Sequence, residues 1–297
     1  MTSDADEHAR MERLLHTVQR VIRDPGAPAA LADAPRDWLA GAGLDGGDLE
    51  AMADLGARRL LLYRKLVRRG LEGAIRVEMP RAAARLEGVF GAYVGRFVEQ
   101  ELPRSHYLRD VAFEFLAWAA PLWAVDPTVP AFIADLARHE LNAFEVAAAP
   151  APGRDRDPTA CEESEGTPAP LELDQAIAFD AAATIRRYDH AVHRLAEAID
   201  ARDVPPHAAT TLLAYRDREG DVRYLELTPL AAEILTRLFR GETLRAAVTL
   251  ACAARAEPLS GEVLDGTARL LADLGERGVM LGAVRGRGSA TRPDGGP

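Results

Sequence analysis

Residues 148–170, AAPAPGRDRDPTACEESEGTPAP, separate two stretches of different periodicity, so the chain cannot be read as one continuous core. Proline, glycine, serine and charge without an apolar period mark an exposed linker. Before it, every apolar pattern recurs at helical spacing; after it, alternation and turn signals enter. The expectation is α+β overall. An all-helical domain covers 1–147, a linker 148–170, a winged-helix-like α+β domain 171–284 and a disordered tail 285–297. At 297 residues, each half is large enough to bury its own core.

In the first half, Met11, Leu14, Leu15, Val18 and Ile22 space a helix over 7–23, which PGAP ends before a Gly-rich loop. Helical patterns follow over 48–79, 82–101, 108–120 and 128–147, with breaks predicted at Pro80, Pro103, Pro121 and Pro130. In the second half, 183–195 and 209–216 read as strands. DREGD at 217–221 reads as a hairpin turn into a strand over 222–227. Thr228-Pro229 starts a helix that Gly241 closes; helices over 243–256 and 261–277 and a short strand over 279–284 complete the domain.

Charge is unevenly spread. The net charge is −10, which argues against a chain whose whole surface contacts nucleic acid. Between Arg58 and Arg85, however, nine basic residues face only Glu72 and Glu78, a net +7 that leaves −17 on the rest. On a helix, Arg58, Lys65, Arg69 and Arg76 fall within roughly 40° of one another. Leu60, Tyr63, Val67, Leu71 and Ala74 take the opposite face. Two cysteines, Cys161 and Cys252, offer no disulfide framework or CxxC knuckle. An acidic N-terminus without an apolar core, and no long apolar run, point to a cytoplasmic protein with no membrane partner.

The catalytic motifs are incomplete. Gly41, Gly43 and Gly46 have GxGxxG spacing but no preceding strand. His139-Glu140 begins an HExx pattern whose next zinc position is Ala143. His190 and His193 would lie on opposite faces of a strand. Ser105 and His106 are adjacent, which is not triad geometry. These readings predict a non-enzyme that itself carries no metal or cofactor. The helix over 261–277 carries Glu262, Asp265, Asp273 and Glu276 against Arg269 and Arg277, so the major groove would repel it. An open sheet edge beside a helix suits an extended peptide better.

Three segments carry a resemblance: LLLYRKLVRRGLEGAIRVEMPRAAARLEG from Leu60, LPRSHYLRDVAFEFLAW from Leu102 and FIADLARHELNAFEVAAAP from Phe132. Together they resemble the helical N-terminal domain of the HvfC/BufC family over residues 50–150. Members of that family often carry a DNA-binding label. The run LELTPLAAEILTRLFRGETLRAAV from Leu225 is similar, more loosely, to the PqqD-like peptide-recognition fold. The long acidic linker and the strands before Leu212 depart from that fold.

The resemblance implies a partner subunit of a multinuclear non-haem iron oxygenase, a TIM-barrel enzyme modifying ribosomally made peptides, with iron in the enzyme only. The expected enzyme-docking residues are Arg58, Tyr63, Arg64, Lys65, Arg68, Arg69, Arg76, Arg104, Ser105, His106 and Tyr107. The expected contacts to a ribosomal precursor peptide are Arg223, Tyr224, Leu225, Glu226 and Leu227. The alternative is a DNA-binding transcriptional regulator that uses the cationic stripe.

Overall fold

The computed structural model describes residues 4–101, 103–105, 107–150 and 172–283. Most of the expected linker, all of the expected tail, Cys161 and His106 lie outside these residues. The chain forms two compact units, one of residues 1–141 with 195–204, the other of 142–194 with 205 onward. The division therefore falls within a helix, a few residues before the boundary expected at 147, and a short later segment belongs with the helical unit.

The first unit is helical: α1 (Asp4–Arg23), α2 (Ala27–Asp33), α3 (Pro35–Gly41), α4 (Gly46–Glu78), α5 (Pro80–Arg85), α6 (Phe90–Gln100) and α7 (Val111–Trp123), with the start of α8 (Ile133–Ala148). The expected Gly-rich loop contains α2 and α3, because Pro28 and Pro35 occupy first-turn positions where a missing N–H costs nothing. Pro121 lies inside α7 rather than ending it. The carbonyl it leaves unbonded, four residues back at Ala117, is on the exposed side, where water can serve it. α4 kinks at Gly56, whose φ of +76° suits a residue without Cβ. Val21, Leu31, Leu39 and Leu60 form one core; Phe90, Tyr93, Phe97, Phe115 and Trp123 form an edge-to-face aromatic cluster.

The second unit is α+β. β2 (Thr184–Tyr188), β3 (Thr210–Arg216) and β4 (Val222–Leu227) form an antiparallel sheet in the order β2-β3-β4. β1 (Ile177–Phe179) pairs antiparallel with β5 (Met280–Ala283) in a second, two-stranded sheet. The helices are α9 (Pro229–Phe239), α10 (Leu244–Ala254) and α11 (Gly261–Glu276). Thr228, Thr243 and Ser260 cap them, each side-chain oxygen accepting a backbone N–H three residues on. Leu213, Tyr215, Leu235, Leu238, Val248, Leu271 and Leu274 fill the core.

The strand expected over 183–195 stops at Tyr188. The pairing runs out there because Tyr188 lies opposite Thr210, the first residue of β3, and Val192–Arg194 forms a short 3-10 turn. His190 and His193 are accordingly not on a strand. β1 has no counterpart in the sequence reading, since three residues are too few to show alternation.

Candidate functional site

A groove of about 470 Å³ lies between β4 and α11 in the second unit. Residues 263, 266, 267 and 270 repeat at helical spacing, so α11 turns Val263, Gly266 and Leu270 toward the groove. α9 adds Leu230, Ala231 and Ile234, while Glu262 and Asp273 stand at the lining's charged positions. Gly266 matters because a Cβ there would meet nothing within 4 Å: the space belongs to the groove. No further strand borders β4 among the described residues, so its outer edge is a template for an added strand.

Of the five expected peptide contacts, the structure brings Leu225, Glu226 and Leu227 to this groove. Arg223 is bound to the hairpin turn, its guanidinium donating to Asp217 at 2.6 Å and Asp221 at 3.1 Å. Arg223 in turn holds the Asp217 carboxyl below the usual carboxylate range. Tyr224 points the other way, against a small cluster of Val146, Ala182 and Ala214. Glu226 accepts from Arg194 at 3.0 Å and contacts His193 at 3.2 Å; Arg194 is the main reason its carboxyl is held low. The α11 residues were missed because that helix was read only for its charge. The apolar spacing of Val263 and Leu270 around Gly266 was the available signal.

The expected docking residues of the helical unit separate into two kinds. Arg58, Lys65 and Arg69 are exposed and make no ion pair among the described residues. Exposed Leu62 and Leu66, 53% and 59% accessible, lie on the same helix, and Tyr63 is exposed rather than on the buried face. Arg76 pairs with Glu72 at 3.0 Å and covers the Phe90 ring at 4.7 Å. Arg64, by contrast, is only 8% accessible and donates to the carbonyls of Val21, Ile22 and Asp24 at 2.6–2.8 Å, terminating α1. Arg68 donates to the Ile22 carbonyl and pairs with Glu99 at 2.8 Å. These two arginines are occupied inside the unit.

The PRS element is held in the same manner. The backbone N–H groups of Arg104 and Ser105 donate to Glu114 at 2.8 and 2.7 Å, and the Ser105 hydroxyl donates to Asp110 at 2.8 Å. Ser105 organises a turn. Arg104 pairs with Glu101, and exposed Tyr107 lies beneath Arg109. In the HExx pattern, Glu140 is buried and accepts the N–H groups of Arg81 and Ala82 at 2.9 and 3.0 Å, capping α5. Among the described residues, no group of three or more His, Cys, Asp or Glu side chains is placed to hold a metal ion. Nor is any helix there long and apolar enough to cross a membrane.

No curated protein matches the chain. Residues 181–275, from just before β2 nearly to the end of α11, match the family model of the HvfC C-terminal domain, and the β4–α11 groove lies wholly inside that span.

Proposed function

We propose that this chain is a non-catalytic partner subunit that binds a ribosomal precursor peptide and presents it to an iron-dependent TIM-barrel oxygenase. The observation that carries the reading is an unpaired β4 edge beside an apolar groove roofed by α11, the arrangement strand addition requires. The HvfC C-terminal match is consistent with it, as is the looser PqqD-like, winged-helix-like pattern of strand, helix, glycine and capped helix. The helical unit docks on the enzyme through the exposed Arg58, Lys65 and Arg69, which suit an acidic surface. Holding the leader raises the effective concentration of the core peptide at the iron. The chain works without a cofactor of its own and in the cytoplasm.

Hydrogen exchange of the full chain, with and without a synthetic peptide selected by its affinity for the chain, tests this. Added strand pairing slows exchange in Val222–Leu227. Protection confined to the helical unit would overturn the reading. The same exposed cations favour one alternative, a DNA-binding regulator, which sequence-selective duplex binding at physiological salt would establish.

A further inference from the structure

A second groove, about 760 Å³, lies on the other side of α9 and shares Glu226, Leu227 and Thr228 with the first. The two therefore meet at the C-terminal end of β4. α9 separates them, turning Leu230, Ala231 and Ile234 to the first and Ala232, Glu233 and Thr236 to the second. A strand added along the outer edge of β4 would leave it near Thr228, where the second groove begins and crosses the end of the sheet, past Thr210, to Arg187 on the far strand β2.

The charges in this groove are unequally satisfied. Its two carboxylates already have partners: Glu226 has Arg194 and His193, and Glu233 has Arg237 at 2.9 Å. Its two cations do not. The exposed guanidinium of Arg187, on β2, has no ion pair or hydrogen bond among the described residues. Arg255, following α10, has only a 3.5 Å contact to Glu257 between two exposed side chains, a kind of pair worth little. In the first groove Asp273 is paired with Arg277 at 2.8 Å and Glu226 is shared with the second, so its lining adds only Glu262 as a further carboxylate and no cation. Free positive charge is thus confined to the second groove.

We propose that the second groove is a subsite for an acidic side chain, Asp or Glu, that flanks the strand-forming segment of the bound peptide, with Arg187 as the main contact and Arg255 in support. Arg187 pairs with that carboxylate through its planar fork of N–H donors. The acid lies N-terminal to the segment if the peptide runs antiparallel to β4, and C-terminal if it runs parallel. This inference rests on the peptide-binding reading above, and the test separates the two.

A random peptide display library is selected against the full chain and against Arg187→Gln. Selection on the unmutated chain should yield alternating apolar segments with Asp or Glu enriched on one flank, and Arg187→Gln should keep the segment but lose the enrichment. For one selected peptide, exchanging the acid for its amide should weaken binding roughly tenfold, the size of a charge-assisted hydrogen bond. On Arg187→Gln the same exchange should have a much smaller effect, and on Arg187→Gln with Arg255→Gln none. Apolar segments without flanking acids, or an acid whose effect survives Arg187→Gln undiminished, would overturn the subsite and leave strand addition standing. Recovery of no peptide would overturn both.

Discussion

Glu140 and Arg81 meet twice, through the Arg81 backbone N–H at 2.9 Å and its Nε at 3.2 Å, across 59 positions of sequence. One carboxylate therefore caps α5 and neutralises a nearly buried guanidinium. Replacing it with Ala strips both roles at once and should cost about 3 kcal/mol, read as a lowered midpoint in denaturant unfolding. Gln, which keeps one acceptor, should cost less.

The same residue gives a pH signature. Burial pushes the Glu140 carboxyl above its ordinary 4.5, against the pull of the two backbone donors and Arg81. The folded state then holds the proton more tightly than the unfolded state. This contribution to stability is complete below pH 4.5 and is lost as pH rises through the higher folded value. Unfolding of Glu140→Gln, measured across that window, should lack this downward slope.

Arg64 and Lys65 are sequence neighbours with opposite prospects. Arg64→Met removes a donor from the Val21, Ile22 and Asp24 carbonyls; Ile22 keeps Arg68 and Asp24 keeps the Ala27 N–H, so the loss falls mainly on Val21 and should cost about 2 kcal/mol. Lys65→Glu should stay within about 0.5 kcal/mol. Combined with Arg69→Glu, it should slow association with the proposed oxygenase partner and leave thermal unfolding unchanged.

Gly266→Leu fills open space in the β4–α11 groove and replaces glycine in a helix with a better helix former. Stability should hold or rise by up to about 1 kcal/mol. Peptide affinity should fall at least about tenfold in calorimetric titration, because the seat for an apolar side chain is gone. Unchanged affinity would place the peptide elsewhere.

Helices and caps were largely legible in the sequence because their signals are local. Thr228-Pro229 announces α9, and the strand over 222–227 could be bounded to the residue by the polar hairpin and the threonine. The function of the charged motifs was not legible. The arginine following Tyr63, the PRS turn and the DLARHE run each looked like surface chemistry, yet Arg64, Glu114 and Glu140 close helix ends or turns 10 to 59 residues away. Only the fold shows which backbone groups need a partner. The groove was half visible: its β4 side follows from the strand, while its α11 side depends on which helical face turns inward.

The pairing of β1 with β5 brings the first and last described strands of the second unit to one strand spacing, about 4.8 Å apart. Between these two strands, however, residues 195–204 belong to the helical unit, so the chain leaves the second unit and returns to it within the single connection from β2 to β3. Neither unit can therefore be cut out as one continuous piece of chain.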